Sequence, residues 1–274
     1  MKNERQIEIM GIVNLTDDSY FAASRCGDVS AAISRIETLV EEGADIIDIG
    51  ACSTRPGSIP VGAEEEWRRL EPVMKILSRD MPHIRLSVDT YWSEVVEKAY
   101  DVVGDFIVND ISAGEDDPQM LPVVGRLGLE YVAMHKRGSS QTMQTLVDYD
   151  DVTEDIKAYF ISFADKASRY GVKNWILDPG FGFAKTVEQN YALLRNLSVL
   201  RDQYSGYNPK VLVGVSRKSM VYKPLEISPE DALPATQAVH MAALCSGADM
   251  LRVHDVAAAL QTVTLYKLLK SSRF

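Results

Sequence analysis

The feature that most constrains the fold is a regular alternation of short β-rich runs with longer helical patterns along the chain. Eight runs are rich in Val, Ile and Leu, at residues 7–13, 45–50, 84–89, 105–110, 130–134, 174–178, 210–215 and 249–253. Most are continuously apolar rather than alternating, which is typical of parallel strands buried on both faces. The runs therefore predict eight parallel strands.

Amphipathic helical patterns separate these strands. They cover residues 29–43, 63–78, 93–103, 118–128, 151–171, 187–202, 229–247 and 255–269. Eight strand–helix units favour a (β/α)8 barrel, the TIM barrel of the α/β class, with a doubly wound open sheet as the alternative. Because no linker or low-complexity tract interrupts the pattern, we expect a single domain over residues 1–274.

Composition narrows the classes of function. The net charge of −10 over 274 residues disfavours non-specific binding to nucleic acid. Three cysteines, Cys26, Cys52 and Cys245, form an odd set without paired spacing, as expected for a reduced protein. The N-terminus lacks the apolar core of a secretory signal, and no apolar run approaches the length of a membrane span. We therefore expect a cytoplasmic protein that binds neither nucleic acid nor membrane.

Polar side chains follow every predicted strand, at the end of a barrel where functional residues lie. Asp89, Asn109 and Asp178 end three of the strands. Their carboxylate and amide groups suit a planar heterocycle with several N–H donors. Asp and Asn also cap helices and form turns, so each residue alone has an equally good structural explanation. The complete set on one rim favours a binding site.

Basic side chains near the same strand ends suit a phosphate or a carboxylate. They are Arg55, Arg217, Lys218, Arg252 and His254. The segment "SRKS" (216–219) begins a helical stretch whose free backbone N–H groups favour an anion. Asn14 can ligate a metal–phosphate unit weakly, since Mg²⁺ typically takes one or two protein oxygens plus phosphate and water. In the alternative interpretation, Arg217 and Lys218 are a solvated surface pair.

Two other kinds of chemistry lack support in the sequence. The His, Cys and Asp residues show no spacing typical of zinc, and no "GxSxG" stands at a strand-to-helix turn. Cys52 is best explained as a small apolar residue, and His83 and His240 as structural residues.

Seven segments, taken together and in order, resemble the dihydropteroate synthase family. They are "MGIVNLTDDSY" (10–20), "DIIDIGACSTRPGS" (45–58), "SVDTY" (87–91), "IVNDISAG" (107–114), "DPGFGFAKTVEQNYALL" (178–194), "VGVSRKS" (213–219) and "RVHDV" (252–256). The match covers nearly the whole chain. Its most specific parts are "DPGFGFAK", "SRKS" and "RVHDV".

The resemblance implies a (β/α)8 barrel that joins 7,8-dihydropterin-6-ylmethyl diphosphate to 4-aminobenzoate with Mg²⁺. It further implies that Asp89, Asn109 and Asp178 hold the pterin ring. Lys218 would reach the carbonyl side of the ring, and Met134 and Phe183 would line the pocket.

The resemblance also indicates which residues bind the diphosphate. Arg252 and His254 would hold it and, with Lys218, act in catalysis, while Asn14 would contact both the diphosphate and Mg²⁺. Ser219 would meet the aminobenzoate carboxylate. The remaining substrate-binding residues would be Thr54, Arg55, Pro56, Gly182, Gly214, Ser216 and Arg217. A homodimer through the late helices and inhibition by sulfonamides are implied as well.

Three positions depart from the family pattern. Asp17 replaces a proline, Cys52 stands where a glutamate is common, and Ala184 replaces a glycine. The first two fall in the loops expected to close over the intermediate, so an altered response to sulfonamides is a hypothesis. Two alternatives share the pterin pocket. One is a pterin-binding methyltransferase domain, which would not be expected to keep "SRKS" and "RVHD". The other is a non-catalytic pterin-binding protein.

Overall fold

Eight parallel strands pair in chain order and close into a barrel in the computed structural model. The structure describes residues 6–15, 28–52, 61–139, 141–201, 204 and 206–271. The strands are β1 (Glu8–Asn14), β2 (Ile46–Gly50), β3 (Leu86–Asp89), β4 (Ile107–Asp110), β5 (Glu130–Met134), β6 (Trp175–Asp178), β7 (Lys210–Val213) and β8 (Met250–Val253). The predictions of eight strands and of a closed (β/α)8 barrel are confirmed.

Helices follow the strands and surround the barrel. They are α1 (Val29–Glu41), α2 (Ala63–Asp80), α3 (Ser93–Val103), α4 (Met120–Leu127), α5 (Val152–Arg169), α6 (Val187–Arg195), α7 (Ser219–Tyr222), α8 (Leu233–Ser246) and α9 (Val256–Ser271). The helix expected over 187–202 ends at Arg195, and a 3-10 turn (Leu197–Leu200) follows it. The one expected over 229–247 begins with a 3-10 turn, Glu230–Ala232. Among the described residues, no helix combines the length and apolarity needed to cross a membrane.

Local sequence signals fix where several helices begin. The side chain of Asp28 accepts a hydrogen bond from the backbone of Ala31 at the start of α1. Thr186 and Gln189 form a capping box at the start of α6. Such caps satisfy backbone N–H groups that have no partner inside the helix. They set the point at which the chain leaves the upper rim of the barrel.

Side chains inside the barrel form levels, because alternate strands contribute to each level. Seven apolar residues fill the middle: Met10, Ile46, Ile107, Val132, Ile176, Leu212 and Met250. The lower mouth is closed by ion pairs, in which Glu8 binds both Arg85 and Lys210 at 2.5 Å, and Arg85 also binds Glu130. Above the apolar levels the interior becomes polar, and this is where the strand ends meet.

Candidate active site

The polar level consists of inward-facing residues from the four even-numbered strands. They are Asp48 on β2, Asn109 on β4, Asp178 on β6 and Arg252 on β8. Asp89 on β3 and Met134 on β5 stand one step higher, since the strand registers pair Asp89 with Asn109 and Met134 with Asp178. The three residues predicted to bind a heterocycle therefore converge at the upper end of one barrel, above an apolar floor.

Asp48 is the hub of this level, and it is fully buried. Its carboxylate accepts hydrogen bonds from Ser87 Oγ at 2.6 Å and from Arg252 Nε at 2.6 Å. Both of its oxygens also lie 3.2 Å from Asn109 Nδ2. Asp48 thus fixes the orientation of the Asn109 amide. The Nδ2 group faces Asp48, and the side-chain carbonyl oxygen points away from it. Asp48 was missed by the sequence analysis.

Arg252 joins two acids across the site. Its Nη2 lies 2.7 Å from Asp89 Oδ2 and 2.6 Å from Asp48 Oδ2. Burial disfavours the charged form of Arg252, but Asp48 and Asp89 raise its pKa, so the guanidinium is charged. Burial raises the pKa of Asp89 to about 7, the charge of Arg252 opposes this rise, and the nearby carboxylate of Asp48 adds to it. A ligand that donates hydrogen bonds to Asp89 would favour its ionised form.

The turn "DPGFGFAK" carries Asp178 and Phe183. Asp178 Oδ1 accepts a hydrogen bond from the backbone of Gly180 at 2.8 Å. Gly180 has a φ of +71°, and a Cβ there would lie 2.0 Å from the carbonyl oxygen of His135. Only glycine fits at this position. Asp178 therefore stabilises the turn through one carboxylate oxygen, and its carboxylate still faces the pocket.

Lys218 lies over the same turn. Its Nζ donates to the carbonyl oxygen of Phe181 at 2.7 Å and is 4.8 Å from the centre of the Phe183 ring. Gly182 allows this approach, because a Cβ there would be 3.3 Å from Lys218 Cδ. Burial lowers the pKa of Lys218 to about 8, and Asp178 opposes the change. A cation, a flat ring and a carboxylate thus border one pocket.

Arg217 is a buried structural clamp. Its guanidinium binds Asp255 through two nitrogens, at 2.8 and 3.0 Å, and donates to the carbonyl oxygens of Pro229 and Glu230. The alternative interpretation of Arg217 and Lys218 as a solvated surface pair is wrong, since Arg217 is only 4% exposed. Its assignment as a substrate-binding residue stays a prediction, and these contacts direct its charge toward Asp255.

His254 completes the upper rim beside Arg252. Its Nδ1 lies 3.0 Å from Ser216 Oγ, and Arg35 donates to its backbone oxygen at 2.7 Å. Burial, together with the charge of Arg252, lowers the pKa of His254 to about 3. The imidazole is therefore neutral at pH 7. It offers an anion a hydrogen bond rather than the positive charge that the sequence analysis expected.

The structure brings most of the predicted site residues to this rim. Gly214 faces inward, since a Cβ there would lie 3.8 Å from Lys218 Nζ, and Ser219 begins α7 directly after Lys218. Asn14 ends β1, the strand next to β8. Thr54, Arg55, Pro56 and the altered position Asp17 lie outside the described residues.

Comparison with known proteins agrees with this site. The model of the pterin binding enzyme family matches residues 10–254. The dihydropteroate synthase of Synechocystis sp. is 41% identical over 256 residues, which is 92% of this chain and 86% of that protein.

Two solved structures have the same architecture. A Yersinia pestis dihydropteroate synthase in a sulfonamide complex has a TM-score of 0.91 and 32% identity, covering 97% of this chain and 95% of that one. A Xanthomonas albilineans dihydropteroate synthase with 4-aminobenzoic acid has a TM-score of 0.87 and 35% identity, covering 98% and 94%.

The fold and the rim define a (β/α)8-barrel enzyme whose pocket suits a flat, N–H-rich ring beside an anion. The chain belongs to the pterin binding enzyme family.

Proposed function

We infer that this chain catalyses the synthesis of 7,8-dihydropteroate from 7,8-dihydropterin-6-ylmethyl diphosphate and 4-aminobenzoate, with release of pyrophosphate. The observation that carries this conclusion is the level formed by Asp48, Asn109, Asp178 and Arg252, with Asp89 directly above it. It combines acceptors for a ring with a cation for a leaving group. The relatives at 32–41% identity carry the name of this enzyme.

Acidic and amide side chains of the rim bind the pterin ring in this proposal. Asp178 accepts from the guanidine-like edge of the ring, while Asn109, oriented by Asp48, pairs with ring nitrogens. Lys218 donates to the carbonyl side of the ring. The buried Met134 and the half-buried Phe183 cover the apolar faces, and the exclusion of water by a bound ring strengthens each polar contact.

The diphosphate lies, in this proposal, against Arg252 and His254. Ser216 Oγ already accepts from the backbone N–H of His254, so its hydroxyl donates to Nδ1 and the neutral imidazole donates from its Nε2. Approach of an anion favours protonation of His254, since the added negative charge raises the pKa of the ring. Loss of the diphosphate is then assisted by the full positive charge of Arg252 and by the proton on His254 Nε2.

Magnesium is the expected metal, and the residues present fit it only as a substrate-bound ion. Among the residues that the structure describes, there is no group of three or more His, Cys, Asp or Glu that could hold a metal. Asn14 ends β1 at the rim and would supply one neutral oxygen, which suits an ion held mainly by phosphate and water. When bound, Mg²⁺ would offset the charge of the leaving diphosphate.

The reaction is a dissociative substitution at the pterin methylene carbon. The C–O bond to diphosphate breaks first, and the electron-rich ring stabilises the cation that develops. The amine of 4-aminobenzoate then forms the C–N bond and releases a proton. In this scheme no side chain forms a covalent intermediate, and the chain contributes position and charge. Ser219, at the start of α7, would bind the carboxylate of the second substrate.

A homodimer is part of the proposal. Four leucines of α9, Leu260, Leu265, Leu268 and Leu269, are exposed, and α9 packs beside α8. Exposed apolar residues on one helix favour an interface with a second copy. Light scattering tests this, and a monomer at micromolar concentration would rule it out. We also propose a cytoplasmic location, since the three cysteines of the sequence form an odd set without paired spacing. Cell fractionation tests that expectation.

The test of the function is identification of the product by mass spectrometry. Incubation with both substrates and Mg²⁺ should give 7,8-dihydropteroate, and omission of 4-aminobenzoate should abolish it. A matched Asn14→Ala variant should need more Mg²⁺ for half-maximal rate. Tight binding of the pterin diphosphate without any product would instead indicate a non-catalytic pterin-binding protein.

A further inference from the structure

Lys185 is a buried amine that the proposed reaction does not use. The residue is only 5% exposed. Its Nζ lies 2.9 Å from the carbonyl oxygen of Gly180, 3.0 Å from that of Phe183 and 3.2 Å from His135 Nδ1. An ammonium group has three N–H donors, and each one has an acceptor here. The cage is therefore complete without a carboxylate in direct contact.

The three acceptors belong to two neighbouring strand ends. Gly180 and Phe183 lie in the turn after β6, and His135 directly follows β5. The backbone N–H of His135 also donates to the carbonyl oxygen of Asp178 at 3.0 Å. Lys185 thus closes the turn on itself and ties it to the end of β5. Both ends of this turn carry groups that face the pterin pocket, Asp178 and Phe183.

The groups around Lys185 shift its pKa in opposite directions. Burial lowers the pKa of Lys185 to about 7, Asp178 opposes this change, and Lys218 and Arg137 add to it. Burial lowers the pKa of His135 to about 2, so its ring is neutral. A neutral ring that accepts at Nδ1 carries its proton on Nε2. Burial raises the pKa of Asp178, and the charge of Lys185 is one of those that oppose this rise, after Lys218 and Arg252.

We propose that Lys185 is a positioning residue for the pterin site: its caged ammonium group fixes the turn so that the Asp178 carboxylate and the Phe183 ring face the ligand. The proposal rests on the proposed function, because the ligand is the pterin diphosphate. It predicts that loss of the ammonium group weakens binding of the pterin while leaving the barrel folded. We expect the loss of pterin affinity to depend on Asp178, because Lys185 acts by holding the turn that carries this carboxylate.

The test is a double-mutant cycle on Lys185→Met and Asp178→Asn. The measured quantity is the Kd of 7,8-dihydropterin-6-ylmethyl diphosphate, with Mg²⁺ and without 4-aminobenzoate, by titration calorimetry. Methionine keeps most of the side-chain volume and removes the donors. Lys136→Met is the matched control, since Lys136 is a nearby lysine whose Nζ pairs with the carboxylate of Asp116 and not with the turn. Circular dichroism confirms that each variant is folded.

We expect Lys185→Met to weaken binding by about tenfold or more, and Lys136→Met by less than about twofold. In the Asp178→Asn background, the loss caused by Lys185→Met should shrink by at least about threefold. The proposal would be overturned if Lys185→Met bound the pterin diphosphate with wild-type affinity. It would also be overturned if the losses of affinity caused by Lys185→Met and Asp178→Asn were fully additive. If Lys185→Met does not fold, Lys185→Gln is used in the same cycle under the same criteria.

The proposal and the proposed function fail in different ways. A wild-type protein that binds the pterin diphosphate but forms no product contradicts the function and leaves the cycle measurable. A wild-type protein that turns over, beside a Lys185→Met variant of unchanged Kd, contradicts only the positioning role.

Discussion

Glu66 offers a test of the electrostatics beside the site. It lies in the first turn of α2 and is fully buried, and its carboxylate oxygens have no hydrogen-bond partner of normal geometry among the described residues. Burial raises the pKa of Glu66 from 4.5 to about 7, Thr90 opposes the rise, and the nearby charge of Asp89 adds to it. The folded protein therefore holds a proton that the unfolded chain releases.

The sign and the magnitude follow from proton linkage. Because the native state binds more protons than the unfolded state between pH 4.5 and about pH 7, stability falls as pH rises through this window. A shift of about 2.5 pKa units, at 1.36 kcal/mol per unit, corresponds to about 3 kcal/mol in all. Between pH 5 and pH 8 the expected loss is about 2.5 kcal/mol.

The perturbation is Glu66→Gln, which keeps the shape of the side chain and removes its titration. Urea unfolding at pH 5 and pH 8 gives the free energy of unfolding of each variant. Relative to wild type, Glu66→Gln should gain about 2.5 kcal/mol between the two pH values. Glu65→Gln is the matched control, since Arg68 lowers the pKa of Glu65 and the stabilising contribution of Glu65 is lost at low pH instead. Equal pH slopes for wild type and Glu66→Gln would refute the reasoning.

Three further predictions concern the rim. Asp48→Asn should destabilise the fold by about 2–3 kcal/mol in urea unfolding, because its charge-assisted hydrogen bonds weaken; a loss below about 0.5 kcal/mol would contradict its place as a hub. Gly180→Ala should lower thermal stability more than Gly128→Ala, since both have positive φ but only Gly180 meets a backbone oxygen. Equal melting temperatures would count against that contact. Ser216→Ala should lower kcat/KM for the pterin diphosphate by about tenfold, because His254 loses its Nδ1 partner; an unchanged kcat/KM would show that Ser216 does not orient the ring.

The fold was predictable because its signals are local and repeated. Each strand is a short apolar run and several helices end at a glycine, so the order of elements gives the barrel directly. The short α7 (Ser219–Tyr222) has no periodic pattern of its own, although the segment "SRKS" indicated a helical start there. Barrel closure then places the strand ends together, which is why Asp89, Asn109 and Asp178 could be grouped from the sequence.

Roles that depend on side-chain direction were harder to predict. Asp48 lies inside the run "DIIDIG", and only the barrel register shows that it faces inward to bind Arg252. The polar position in an otherwise apolar strand was the available signal. Arg217 and Lys218 are adjacent in sequence, yet one binds Asp255 and the other faces the pocket. The positive φ of Arg217, +53°, separates their directions, and no sequence pattern indicated it.

The measurement that tests the central claim most directly is pyrophosphate release from pterin diphosphate, with Mg²⁺, beside an Asp178→Ala variant. The account predicts release that requires 4-aminobenzoate in the wild-type protein and is lost in the variant, because the ring is no longer held by its carboxylate. Release by Asp178→Ala at the wild-type rate would contradict the assignment of the pterin pocket. Absence of release from the folded wild-type protein would contradict the proposed reaction itself.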